Sequence, residues 1–145
     1  KKMASVLIET AVHPGFMTDW QQPFAVILTQ VNDTSVIHET VYEDRFGYIK
    51  DFVAMGAKID IFNHCLGTRC RFAKKNYPHS IRIHGPSKLS GSRIVVSDIR
   101  AGLAHIVAAL VAVGTTEIEG IEHIDRGYER IDARLCEIGA DIKRI

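Results

Sequence analysis

Two stretches of this chain repeat each other's landmarks at a nearly constant distance, and that repetition restricts the fold more than any single motif. Asp19 answers to Asp98 at an offset of 79 residues, Arg45 to Arg126 at 81, and Gly56-Ala57 to Gly139-Ala140 at 83. In the first stretch, Ser5 to Thr10 alternates as a strand and His13-Pro14-Gly15-Phe16 breaks it. A helix opens at Thr18-Asp19, where Asp19 can cap and Gln22 stands three residues on, and carries Phe24, Ile27, Leu28 and Val31 at helical spacing. A strand from Ser35 to Val41, a helix from about Arg45 to Met55 stopped by Gly56, and a strand from Lys58 to Phe62 follow. The second stretch opens a helix at Ser97-Asp98 through Leu103, Ile106, Val107 and Leu110. A strand from Glu117 to Ile124 comes next, then a helix from Arg126 with Tyr128, Ile131, Leu135 and Ile138 on one face, closed by Gly139. The pattern predicts an α/β chain of two β-α-β-α-β-β units, at about 5–96 and 97–145, with short strands at Ser80 to His84 and Arg93 to Val96 finishing the first.

Such units carry more apolar helix surface than their own strands can cover, so the copies must pack on one another. The run Ala101 to Val113 is apolar almost all round and is expected to be buried among neighbours, with His105 a hydrogen-bonded core histidine. A hydrophobic content of 46% over 145 residues supplies one domain's core. Basic and acidic residues are intermixed to a net charge of +1, which argues against nucleic-acid and membrane partners. Three cysteines make no disulfide framework, and with no signal peptide or spanning segment a cytoplasmic setting is expected. The start at Lys1-Lys2, without an initiator methionine, and the strand-like run Asp141 to Ile145 read as cut ends of a longer chain.

Arg45 and Arg126 each fall where an apolar run gives way to a predicted helix. The first turn of a helix carries partial positive charge, so a cation there is unfavourable unless an anion is its partner. Two such positions predict arginines that handle a small anion.

The residues that carry a resemblance are His13-Pro14-Gly15-Phe16-Met17-Thr18-Asp19-Trp20-Gln21, Glu39-Thr40-Val41-Tyr42-Glu43-Asp44-Arg45-Phe46, Met55-Gly56-Ala57, Asp98-Ile99-Arg100-Ala101-Gly102, Gly114-Thr115-Thr116 and His123-Ile124-Asp125-Arg126-Gly127-Tyr128-Glu129. In order and spacing they closely resemble the UDP-N-acetylglucosamine 1-carboxyvinyltransferases of the enolpyruvyl transferase family, over nearly the whole chain except Asn63 to His79. The resemblance implies an inside-out α/β barrel with helices inside and sheets outside, of which this chain would hold the last two of six units. It implies a cytoplasmic enzyme of cell-wall peptidoglycan synthesis that moves the enolpyruvyl group of phosphoenolpyruvate onto the 3′-hydroxyl of UDP-N-acetylglucosamine. The family's loop cysteine, its lysine that contacts phosphoenolpyruvate, and a partner domain would lie outside this chain, which alone is expected to be inactive.

Carried over residue by residue, Asp19 would contact the sugar hydroxyl and take its proton, and Val41 would meet the UDP-sugar through its main chain. Arg45, Arg100 and Arg126 would face phosphoenolpyruvate, with Asp98 orienting an arginine at the rim. Guanidinium suits this work because phosphate and carboxylate each accept two parallel N–H bonds. Surface ion pairs with Asp44, Asp98 or Asp125 are the plainer alternative for these arginines, and a helix cap is the plainer one for both aspartates. His64-Cys65 with Cys70, near His79 and His84, suggests zinc only weakly, and the expectation is a loop with incidental thiols, no metal and no cofactor. Its basic residues Arg69, Arg71, Lys74 and Lys75 are expected to be solvated. Two alternatives remain in view: transfer to shikimate 3-phosphate, and a non-catalytic nucleotide-sugar-binding module of the same fold.

Overall fold

The computed structural model describes residues 3–66 and 70–145; Lys1, Lys2 and Arg69 lie outside the described residues. Strand β1 (Leu7–Glu9) leads through a 3-10 turn at Thr18–Trp20 into helix α1 (Gln21–Leu28) and strand β2 (Thr34–His38). Helix α2 (Ile49–Ala54) and strands β3 (Lys58–Phe62) and β4 (Ser80–His84) complete the first part. The second comprises β5 (Arg93–Val95), α3 (Ile99–Val111), β6 (Glu117–Glu119), α4 (Glu122–Asp125) and α5 (Ile131–Glu137).

The first four strands form a mixed sheet in the order β1-β2-β4-β3. Strand β1 runs parallel to β2, with Ile8 opposite Ile37, and β4 is antiparallel to both β2 and β3, with Ile81 opposite Ile37 and Ile61. A parallel pair needs a crossover, which α1 supplies between β1 and β2. The same device recurs in the second part, where β5 pairs in parallel with β6 and α3 lies between them in sequence. Strand β5 therefore joins the second sheet, whereas the sequence pattern assigned Arg93 to Val96 to the end of the first unit. Ile37, Ile81 and Ile83 of the first sheet are fully buried with Ala25, Val26, Phe52 and Ala104 in one core cluster.

The duplicated glycines end their helices in the same way. After α2, Gly56 at φ 108° lets its N–H reach Val53 O at 2.9 Å while Ala57 N–H reaches Phe52 O at 2.9 Å. After α5, Gly139 at φ 97° does likewise, Gly139 N–H to Cys136 O at 2.9 Å and Ala140 N–H to Leu135 O at 3.0 Å. Each is a Schellman closure, which needs a left-handed residue that glycine supplies without strain.

Other boundaries differ from the sequence pattern. Residues 41–48 form turns, so Arg45 precedes α2. Gly120, at φ 75°, turns the chain out of β6 five residues early, and a Cβ there would meet Val96 O at 2.2 Å. Ile121 and Ile124 then fall in a short helical segment in place of the predicted strand, and Arg126 follows α4 as its C-cap. Asp141 to Ile145 forms no strand.

Helix α3 is buried along Ala101, Gly102, Ala104, His105, Ile106 and Ala108, while Leu110 and Val111 at its far end lie at the surface. His105 is the hydrogen-bonded core histidine expected, its Nε2 2.9 Å from Asp51 Oδ2 of α2. Burial pushes its pKa below the ordinary value, with Asp51 opposing. Gly102 sits where α3 crosses α4, and a Cβ there would fall 2.6 Å from Ile124 Cγ1. Because Ile124 is itself buried and cannot swing away, Gly102→Ala is expected to cost about 1–3 kcal/mol as overpacking. A urea midpoint unchanged from the parent protein would show that α3 and α4 separate freely.

Candidate active site

Asp19 and Arg45 meet directly. The Arg45 Nη2 donates to Asp19 Oδ1 at 2.8 Å, with the arginine side chain 4% exposed and the aspartate 68% exposed. Asp19 does not cap a helix: the 3-10 turn begins after Met17, and no side chain caps it. Its carboxylate therefore faces solvent with one oxygen held by a buried guanidinium, and this replaces the capping role inferred from sequence.

The buried guanidinium is held through Nη2, while its Nε and Nη1 are buried without a hydrogen-bond partner among the described residues. Tyr42 lies under it, with Cζ 5.3 Å from the ring centroid. In the amide orientation that satisfies both neighbours, Gln22 accepts from Arg45 Nη2 at 3.3 Å and donates to the Arg100 carbonyl at 3.2 Å. Tyr48, fully within the core, donates to Gln21 Oε1 at 2.8 Å. Burial first, then the charge of Glu39, raises the Tyr48 phenol well above its usual pKa, which keeps it a neutral donor.

Asp98 caps α3 as expected, accepting from Arg100 N–H at 3.0 Å, and also binds that residue's guanidinium through Nε at 3.1 Å. Burial raises the Asp98 carboxyl, but the Arg100 side-chain and main-chain bonds outweigh it and, helped by the charge of Arg45, leave the pKa below the ordinary value. Arg100 is held in its charged form chiefly by its bond to Asp98, with the nearby charge of Asp19 contributing. Asp19, Arg45, Asp98 and Arg100 thus share one electrostatic neighbourhood at the start of two helical segments.

Arg126 is exposed and, among the described residues, makes no ion pair. It stands at the C-terminal end of α4, the end a cation suits, so the unfavourable first-turn placement expected for it and for Arg45 does not occur. Its neighbour Gly127 lies against Ile99, the residue between Asp98 and Arg100, with a Cβ there 3.6 Å from Ile99 Cγ1. This brings the backbone that follows Arg126 to the start of α3, with no described contact between the Arg126 side chain and Asp19, Arg45, Asp98 or Arg100.

Both main-chain polar groups of Val41 are engaged within the protein: its N–H donates to Glu39 Oε1 at 2.8 Å and its carbonyl accepts from Arg71 Nη1 at 2.7 Å. Glu39 was not singled out by the sequence reasoning. Fully buried, it accepts from Thr10 Oγ1 at 2.9 Å, Thr18 Oγ1 at 2.7 Å, Val41 N–H at 2.8 Å and Tyr42 N–H at 3.0 Å. One carboxylate thereby fixes the segment before Asp19 to the turn that carries Tyr42 and Arg45. The one signal for it in sequence is a carboxylate set within the strand-like run Ser35 to Val41, which holds no other acidic residue.

The matching family model is that of EPSP synthase (3-phosphoshikimate 1-carboxyvinyltransferase), over residues 1–135. The chain belongs to this family. Within it, the UDP-N-acetylglucosamine 1-carboxyvinyltransferase of Protochlamydia amoebophila is 52% identical over 95% of this chain and 30% of its own length. That of Chlamydia trachomatis serovar D is 52% identical over 94% of this chain and 31% of its own, and the second such enzyme of Listeria innocua is 41% identical over 99% and 30%. The chain spans about 30% of the length of the curated relatives it matches. Among solved structures, the enolpyruvyl transferase NikO from Streptomyces tendae superposes with a TM-score of 0.80 at 26% identity, over 99% of this chain and 30% of that one. EPSP synthase from Acinetobacter baumannii, at 17% identity and a TM-score of 0.61 over 98% of this chain and 28% of that one, shares the fold. The inside-out α/β barrel expected from the resemblance is the fold of these enolpyruvyl transferases, of which this chain forms part. No helix among the described residues is long and apolar enough to cross a membrane.

Proposed function

We propose that this chain supplies one wall of the active site of a UDP-N-acetylglucosamine 1-carboxyvinyltransferase, a cytoplasmic enzyme of peptidoglycan synthesis. The observation that carries the reading is the exposed Asp19 carboxylate held 2.8 Å from the buried Arg45 guanidinium, in the neighbourhood of Arg100 and Asp98. A base and two guanidinium groups are what enolpyruvyl transfer asks of a protein. As the sugar 3′-oxygen adds to the enol carbon of phosphoenolpyruvate, Asp19 takes its proton, and the arginines offset the phosphate and carboxylate charge that persists through the tetrahedral adduct. Loss of phosphate and of the proton gained at the methylene carbon then restores the enol. Arg126 completes the cationic set, and the Val41 carbonyl meets the sugar nucleotide once Arg71 yields it. The donor of the methylene proton and a partner domain come from outside this chain, which does not turn over alone. The complete β-α-β-α-β-β unit and the second, which here lacks its closing strands, constitute one part of a single domain.

The test uses a full-length transferase that includes this chain, supplied with phosphoenolpyruvate and either UDP-N-acetylglucosamine or shikimate 3-phosphate. Phosphate release with the sugar nucleotide alone is the expected result. Release with shikimate 3-phosphate would move the assignment to the sister activity, and sugar-nucleotide binding without release would make the chain a binding module.

A further inference from the structure

Between β3 and β4, where the family resemblance fails, described residues meet β2 and bring four metal-binding side chains together. His38, Cys65, Cys70 and His79 each place one ligand atom within 4.8 Å of all the others. His38 comes from β2, the two cysteines and His79 from the segment itself, and both histidines are fully buried. The Sγ of Cys65 already stands 3.4 Å from His79 Nε2. A tetrahedral zinc with its usual bonds to sulfur and nitrogen sets such atoms about 3.3–3.8 Å apart, so the remaining members need only a small contraction.

Each imidazole is oriented as a ligand by its other nitrogen. His38 Nδ1 is 2.8 Å from Glu9 Oε2 and His79 Nδ1 is 2.6 Å from the Tyr77 carbonyl, contacts that place the ring proton on Nδ1 and leave Nε2 with a lone pair. His38 Nε2 is buried without a hydrogen-bond partner, an unusual expense for a polar atom in a core. Phe72, also buried, packs on the His79 ring at 5.6 Å and gives the cluster an apolar flank.

We propose that His38, Cys65, Cys70 and His79 form a structural zinc site. Two thiols and two imidazoles are the donor set that favours tetrahedral zinc over the harder divalent ions. On binding, both thiols lose their protons to solvent and both histidines remain neutral, with no change of oxidation state. All four positions are filled by protein, so the site is closed and its role is to fasten the inserted segment to β2, with Glu9 of β1 as a positioning residue. Arg71 follows Cys70 directly and reaches the Val41 carbonyl, so the clasp also sets this arginine against the candidate active site. The sequence pattern alone pointed to incidental thiols because its fourth ligand, His38, lies on a strand far from the C-x4-C pair. His64 and His84 are outside the cluster.

The experiment is metal analysis of the protein purified under reducing conditions, followed by cobalt(II) titration of the chelator-stripped protein. Stoichiometric zinc, a tetrahedral cobalt spectrum with thiolate-to-metal charge transfer, and displacement of cobalt by zinc are expected. Zinc should also protect Cys65 and Cys70 from alkylation while exposed Cys136 stays reactive. Cys65→Ser and Cys70→Ser should each weaken the charge-transfer band, and Glu9→Gln should keep the tetrahedral spectrum at about 10–100-fold lower affinity. An octahedral or absent cobalt spectrum in the unaltered protein overturns the site whatever the variants do. Equal protection of Cys136, or recovery of Cys65 and Cys70 as a disulfide from metal-free protein, overturns it as well.

Discussion

On the general-base role proposed for Asp19, Asp19→Asn is expected to lower kcat of a full-length transferase containing this chain by about 100- to 10,000-fold, the range associated with loss of a general base. The asparagine oxygen can still accept from Arg45 Nη2, so the buried guanidinium keeps its partner and the fold is expected to hold. KM for phosphoenolpyruvate should change little, because the arginines stay in place; a selective loss of kcat marks an interaction made in the transition state. Asp19→Ala serves as the contrast. It leaves an arginine side chain that is 4% exposed without its counter-charge, and so adds a stability loss of about 1 kcal/mol or more to the kinetic one. Near-normal turnover in the asparagine variant would remove Asp19 from the chemistry and leave it the anchor of Arg45.

Glu39→Ala should be the most destabilising single change near the site, although Glu39 faces no solvent. Four donors converge on its carboxylate, two hydroxyls and two main-chain N–H groups, and none has another described acceptor within the fold. Each buried donor left unpaired costs about 1–3 kcal/mol, and partial relaxation leaves an expected loss of about 3 kcal/mol or more. For a domain stable by about 5–15 kcal/mol this is a large fraction, readable as a lowered urea midpoint. Glu39→Gln should fall between, since its amide keeps one acceptor and sets an NH2 group against a hydroxyl. A loss below about 1 kcal/mol in the alanine variant would mean that Thr10 and Thr18 find other partners and that the four bonds do not act together.

What the sequence made legible were features whose cause is local. Gly56 and Gly139 end their helices because only glycine takes the left-handed turn cheaply, and Asp98 caps α3 because its own backbone places the carboxylate by the Arg100 N–H. The duplicated landmarks and the motif residues carried the family and the fold for the same reason. Features that depend on partners remote in sequence were misread or missed. Asp19 looked like a cap until Arg45, arriving from another turn, took its carboxylate. Arg126 looked like a first-turn cation because Glu117 to Ile124 reads as one strand, whereas Gly120 folds it into a strand and a helical turn. Glu39 gave no sign of its role, since all its significance lies in which four groups the folded chain brings to it. His38 was indistinguishable from any polar strand residue until the fold brought Cys65, Cys70 and His79 to it.

Gly102 lies two residues after Arg100 and rests on Ile124, two residues before Arg126. The approach of the two segments that carry these arginines is thus gauged by a single hydrogen atom between α3 and α4. A methyl group at that point would push the two segments apart, and on the role proposed for these arginines a transferase so altered is expected to use its smallest, most highly charged substrate less well, through a residue that never touches it.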